Sequence, residues 1–164
     1  MLVGASLLLA LAGCSKKSDP TPAAPALSAK TLLLTAPKWR ITAIVGATTF
    51  NGQTITTDGF ANLQSCVKDN FSKYNSDLTL IYDEGATKCS NTAPQTKPGT
   101  WSFNAAEDKL TVVDPSVPAG TTGNTITADL LQLTSTSLQV RTTNTQTVSG
   151  YTVVSTATTT YAAF

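Results

Sequence analysis

Histidine is absent from the 164 residues, which removes the commonest general base and the commonest metal ligand together. The many serine and threonine hydroxyls therefore have no imidazole beside them, and a hydroxyl nucleophile needs an activating base. The three cysteines include no Cys-x-x-Cys pair, which leaves little support for a redox dithiol or a zinc site. Asp83 and Glu84 are adjacent carboxylates, but neighbours on a strand point to opposite faces, so a solvated turn is the expected role for them. Charge is sparse as well, at 13% of residues with a net charge of +1 and no run of one sign. That pattern gives no electrostatic footprint for nucleic acid or an anionic membrane surface. Long apolar runs are also lacking. Leu2 to Ala12 is far shorter than the roughly 20 apolar residues a spanning helix needs. The expectation is a protein that is not an enzyme and has no catalytic residue, cofactor or metal site.

The apolar run does fit the hydrophobic region of a secretory leader. Its end, Leu11-Ala12-Gly13-Cys14, resembles the lipobox of bacterial lipoproteins, in which the cysteine is acylated and becomes the first residue of the mature chain. No Lys or Arg precedes the apolar run here. The resemblance implies lipidation at Cys14 and two or three acyl chains. Each buried CH₂ contributes about 0.8 kcal/mol, and more than one chain is needed for stable anchoring. Ser15 after the cysteine resembles lipoproteins sent to the outer membrane. Ser15 to Ser28, SKKSDPTPAAPALS, is too rich in Pro, Ser and Ala to bury apolar surface and reads as a tether. The expected organisation is a leader over 1–13, a lipidated flexible tether over 14–28 and one folded domain over 29–164. The address is the cell envelope, with the membrane as a partner through the acyl anchor.

The folded part leans towards β structure, because threonine is frequent and β-branched side chains suit strands. Ser28 is placed to cap a short helix over Ala29 to Leu34, which Pro37 stops. Trp39, Ile41, Ala43 and Val45 alternate with more polar neighbours up to Gly46, which is read as the strand's end. Asn51-Gly52 supplies the positive φ angles of a tight hairpin, and Asp58-Gly59 makes another turn. Asn62 to Lys73 reads as a helical turn or a packed loop. Leu78, Leu80 and Tyr82 alternate before Glu84-Gly85. Pro94 and Pro98 then mark a loop, because proline is a poor member of a central strand. Trp101-Phe103 and Leu110-Val112 form a hairpin around a polar turn. After a loop over Asp114 to Gly123 come Ile126 to Leu133, Leu138 to Thr142 and Tyr151 to Tyr161, with Thr143-Asn144-Thr145 read as a turn. Short sequential strands without long helices favour antiparallel up-and-down connection, and closure abolishes exposed edges. The expected fold class is all-β, an antiparallel barrel of about eight strands with a short N-terminal helix. A two-sheet sandwich is the alternative.

With Cys14 assigned to lipid, Cys66 and Cys89 remain as an even pair in an exported protein and are expected to be joined. The domain resembles the lipocalin-like lipoproteins of Gram-negative envelopes. Leu32-Leu33-Leu34, Trp39, Cys66-Val67-Lys68-Asp69, Tyr82-Asp83-Glu84-Gly85, Lys88-Cys89, Gly99-Thr100-Trp101-Ser102-Phe103 and Lys109-Leu110-Thr111-Val112 carry the likeness in that order. It implies a calycin-type barrel and the same disulfide, with no established activity for most members. Lipocalins proper are similar in placing Gly-x-Trp at the first strand, where this chain has Ala36-Pro37-Lys38 before Trp39. They also set a late arginine against that tryptophan, for which Arg141 is the candidate here. Trp39, Tyr82, Trp101, Phe103, Tyr151 and Tyr161 are the candidate lining of a cavity for a small hydrophobic ligand. The same side chains could instead fill the interior, since a barrel of about eight strands is just wide enough to be packed solid. A cell-surface structural module that binds protein or glycan is the other reading of function. The oligomeric state is open.

Overall fold

The structure is a computed structural model that describes residues 26–114, 117, 118, 121 and 123–164. Cys14 and most of the tether therefore lie outside the described residues. The described part begins with helix α1 (Ala29–Thr35), which starts where local chemistry says it should. The Ser28 hydroxyl accepts the Thr31 N–H at 3.0 Å, satisfying one of the orphan donors of the first turn. Lys73 closes the other end by donating its ammonium to the carbonyls of Thr35, Ala36 and Pro37, where the negative end of the helix dipole also lies.

Nine strands follow among the described residues: β1 (Trp39–Phe50), β2 (Gln53–Asp58), β3 (Phe71–Tyr74), β4 (Thr79–Asp83), β5 (Thr96–Phe103), β6 (Lys109–Val113), β7 (Thr125–Leu133), β8 (Ser137–Val148) and β9 (Tyr151–Ala163). All pairings are antiparallel. β3 to β9 pair in sequence order, and β1 joins β3 on one side and β9 on the other. An eight-stranded closed barrel results, with β2 as a ninth strand outside the ring. The sandwich alternative is thereby set aside, because one continuous sheet closes on itself.

Several strands run past their expected ends. β1 passes through Gly46 to Phe50, where a Cβ on Gly46 would sit 2.6 Å from Thr57 Oγ1 on β2. This glycine thus permits close packing of two strands and does not end one. The turn comes at Asn51 and Gly52, whose φ angles are 53° and 77°, as a two-residue hairpin turn requires. Thr143-Asn144-Thr145 is no turn. β8 continues to Val148 and turns at Ser149-Gly150, with φ 50° and 83°. Pro98 lies inside β5, opposite Ile81. It is tolerated because β6 pairs only with Trp101 to Phe103, so the other edge of β5 is free at the proline. The segment read as turn or loop contains a 3₁₀ turn at Ser65–Val67 and then β3.

The two ends of the barrel differ. At the end where α1 sits, Leu34, Trp39 and Leu138 are fully buried, and the indole N–H of Trp39 donates to the Leu34 carbonyl at 2.8 Å. Edge-to-face contacts join Tyr74 to Trp101 and Trp101 to Phe103 at 5.8 and 5.4 Å between ring centres. At the opposite end β2, the upper half of β1, and the paired ends of β8 and β9 rise as a four-stranded wall beyond the strands of the far side. From Ile41 to Thr57 and from Thr142 to Phe164 there is no charged side chain. The wall is thus neutral above Asp58 at the foot of β2, and its tip carries exposed Phe50, Ile55, Val148 and Tyr151.

Candidate functional site: two chambers in the barrel

Inward positions follow from the register. Leu138 faces Tyr161 and Val140 faces Thr159 across β8 and β9. A register shift between Ile41 and Ala43 lets both Ile41 and Ile44 meet that inner row, opposite Tyr161 and Thr159. Above the packed plug the inward side chains enclose two adjacent chambers. The first holds about 200 Å³ between Trp39, Ile41, Leu80, Val112 and Ile126, with a polar margin of Asn70, Ser72, Tyr82, Asp114 and Tyr161. The second holds about 240 Å³ and is bounded by Leu110, Ala128, Val140, Thr142 and Thr159. Tyr74, Val112, Ile126 and Tyr161 wall both. Ligand sites for small molecules span roughly 300 to 1,000 Å³. Either chamber alone is below that range, and the two taken together fall within it.

The polar margin is organised from the disulfide. Cys66 and Cys89 are bonded, with their Cα atoms 5.2 Å apart, joining the 3₁₀ turn to the loop between β4 and β5. Three residues further on, Asp69 accepts the Thr87 N–H at 2.8 Å through Oδ2. Its backbone lies against Gly85, where a Cβ would fall 2.4 Å from the Asp69 carbonyl oxygen and where φ is +67°. The Cys-x-Lys-Asp and Asp-Glu-Gly elements of the sequence are therefore two sides of one contact. Asn70 donates to the Glu84 carbonyl at 2.8 Å and to the Cys66 carbonyl at 3.1 Å, and its amide oxygen receives the Tyr82 hydroxyl. The chain thus passes from sulfur bridge to cavity wall in a few bonds. Asp83 and Glu84 do not form the expected solvated turn. Asp83 accepts from the Gly85 N–H and from Gln95 at 2.9 and 2.7 Å. Glu84 is buried with Lys97 3.9 Å away, because the disulfide loop folds back over it through the Glu84 N–H to Gln95 carbonyl bond.

The tyrosines feel this enclosure. Burial, with a smaller contribution from the Asp114 charge and then Tyr82, pushes the Tyr161 phenol up to about 12. Burial likewise raises Tyr74, with Tyr161 second. Tyr82 is raised chiefly by burial, and the Glu84 and Asp114 carboxylates add to it.

Of the six expected lining residues, Trp39, Tyr82 and Tyr161 are brought together around the first chamber. Trp101 and Phe103 belong to the packed core below, with the Trp101 N–H donating to the Asn75 carbonyl at 2.9 Å. Tyr151 is far from either chamber, at the wall tip. It is 52% exposed and sits edge-on to Phe50 at 5.5 Å. The pairing of Arg141 with a tryptophan does not occur. Arg141 stands opposite Thr158 on the outer face and pairs with Asp129 at 3.5 Å. One residue's shift of register separates its face from that of Val140. Sequence reasoning missed Tyr74, Asn70 and Asp114. Tyr74 ends a strand too short to show alternation, and Asn70 and Asp114 lie in segments without periodicity.

No family model and no curated protein matches the chain. Among solved structures it is similar to a lipocalin-like protein from Bacteroides uniformis, at 11% identity and a TM-score of 0.42. The match covers 79% of this chain and 98% of that one.

Proposed function

We propose that this chain is a non-catalytic, lipid-anchored protein of the bacterial envelope whose barrel carries a small hydrophobic molecule. The observation that supports the carrier reading is the pair of apolar chambers above a solid plug. Their walls carry a few convergent polar groups at one side, which is the make-up of a binding pocket. The anchor rests on Leu11-Ala12-Gly13-Cys14 and the Pro-rich tether alone. The protein would be drawn from the membranes of the cells that make it and extracted with organic solvent. Mass spectrometry should then find one molecule at near-equal ratio to the chain. Its absence from repeated preparations, together with failure of apolar probes to bind, would refute the carrier reading.

A second reading, a surface interaction module, is favoured by the neutral wall. A protein surface normally spreads charge over such an area, and uncharged strands with unpaired edges invite pairing. Cross-linking through cysteines placed at Thr54 or Thr145 would show whether another chain lies there.

A further inference from the structure

The register carries the inward face of the barrel on beyond the chambers. Thr142 and Thr159, which bound the second chamber, are the lower rungs of a face that continues up the wall. Higher on it Phe50 pairs with Val153 across β1 and β9, and Val148 pairs with Tyr151 across β8 and β9. Ile55 of β2, opposite Thr48, points to the same side. Phe50 and Tyr151 meet edge-on beside two neighbouring hairpin turns, yet they stay 45% and 52% exposed, and Ile55 is 71% exposed. Apolar surface is thus gathered at one end, on the side that looks over the chambers. No charged side chain accompanies it from 41 to 57 or from 142 to 164.

Area and charge decide what covers this face. Four strands about 4.8 Å apart, over about six residues at about 3.3 Å each, make a surface of roughly 400 Å². A second copy laid against it would bury about 800 Å² in all, short of the roughly 1,200 Å² at which stable protein interfaces begin. The charged groups that fix register and exclude wrong partners between proteins are lacking as well. A bilayer needs neither. Its headgroup region takes Tyr and Phe side chains in any register, and a face without ions has none to desolvate. We propose that the tip of the wall docks on a lipid bilayer, with Phe50, Ile55, Val148 and Tyr151 entering the headgroup region and the chambers turned towards the membrane. Docking stops at that depth. Among the described residues the outer edge of β2 and the edge of β8 above Arg141 pair with no strand, and hydrocarbon cannot satisfy their N–H and C=O groups. An acyl anchor at Cys14 would not hold the tip away: residues 15–28 reach about 40 Å if extended at about 3.1 Å each, which matches the 13 residues of β9 at about 3.3 Å each. A guest then passes between lipid and chamber along one apolar face.

The inference goes beyond the carrier reading and does not need the anchor, so the full chain with Cys14→Ser is the parent for its test. That chain should float with phosphatidylcholine vesicles. Adding phosphatidylglycerol or salt should change its affinity by less than about twofold, because no cation takes part. Phe50→Ser combined with Tyr151→Ser should weaken flotation by about tenfold or more and leave thermal melting close to that of the parent, since both side chains are exposed. A polarity-sensitive dye on Gln53→Cys, at the tip, should shift to the blue on vesicles. The same dye on Ala106→Cys should not, because that turn lies at the α1 end, where Lys30 donates to the Glu107 carbonyl. No flotation, flotation that the double variant keeps, or equal dye shifts at the two positions would overturn the inference and leave the carrier reading standing. A dimer in solution that the double variant loses would overturn it in favour of a second copy of the chain.

Discussion

Replacing Cys66 and Cys89 together by serine opens the one covalent link between the 3₁₀ turn and the β4–β5 loop, and its effect can be worked out beforehand. The two positions are 23 residues apart in sequence. In the chain-entropy model, closing a loop of that size removes enough freedom from the unfolded chain to stabilise the native state by about 3 kcal/mol. Against a total of roughly 5 to 15 kcal/mol for a domain, this is a large share. Urea unfolding followed by tryptophan fluorescence should show the extrapolated unfolding free energy fall by about that amount, and the midpoint fall with it. The slope should rise, because the unlinked unfolded chain is less compact and exposes more surface. The site should suffer beyond the global loss. The Cys66 carbonyl is one of the two acceptors that orient Asn70, and Asn70 in turn receives the Tyr82 hydroxyl at the chamber margin. Ligand affinity should therefore drop even at urea concentrations where both proteins are folded. A double variant with an unchanged midpoint and slope would refute the reasoning, since it would mean that the hydrogen bonds of Asp69 and Asn70 hold this corner without the bond.

Gly85→Ala should cost at least 2 kcal/mol in the same assay, because a residue held at φ +67° would press its Cβ to 2.4 Å from the Asp69 carbonyl oxygen. Ala128→Leu, which extends a side chain into the roughly 240 Å³ chamber, should leave stability unchanged or raised by up to about 2 kcal/mol at ~0.8 kcal/mol per buried CH₂. It should also abolish binding of apolar probes, whereas a loss of stability of 1 to 3 kcal/mol would indicate overpacking and a chamber that is not there. Alkali should unfold the protein. Tyr161 has a native pKa of about 12 against an ordinary 10, and a raised acid pKa means that the native state holds its proton while the unfolded state has lost it. Stability is thus intact below pH 10 and falls as pH climbs from 10 to 12. Absorbance of tyrosinate should rise together with loss of structure, and separate, earlier ionisation of Tyr161 would refute the enclosure described above. Cys14→Ser should abolish incorporation of labelled palmitate and release the protein from the membrane fraction, and unchanged labelling would end the anchor reading.

What was legible in the sequence was set by neighbours in the chain. Ser28 and Pro37 bound α1 because a cap and a breaker act within a turn of themselves, and Asn51-Gly52 made its hairpin for the same reason. Leu80 and Tyr82, and Trp101 and Phe103, face as their period of two dictates. The failures have one physical source. Gly46, Pro98 and Thr143 to Thr145 each carry the local marks of an ending, yet the ending depends on what lies across the sheet: a Thr57 that needs room, a β6 too short to require the proline's N–H, and a β9 long enough to keep β8 extended. Arg141 was assigned to a tryptophan by its place in the sequence, whereas its register put it on the outer face beside Asp129. The chambers were half legible. Trp39, Tyr82 and Tyr161 were found as apolar or aromatic residues at inward positions, but nothing local separates them from Trp101 and Phe103, which take inward positions without reaching either chamber.

That layering also explains why this barrel is both filled and hollow. At the level of α1 the inward residues are Trp39, Leu138, Trp101 and Leu34, large enough to meet at the axis. One step up β8 and β9 they become Val140 and Thr159, then Thr142 and Ala157, and β1 offers Gly46 opposite Ala157. Backbone spacing does not narrow to follow them, since the hydrogen-bonded ladders fix the distance between strands at about 4.8 Å. Side-chain volume therefore falls while the enclosed width stays, and the difference opens as space. Tyr74 and Tyr161 are the side chains long enough to reach across that level, which is why they border both chambers. The cavity is thus a consequence of where the chain places threonine, alanine and glycine on inward positions. Enlarging any of these should close it, and enlarging the outward Thr143, Thr156 or Thr158 should not.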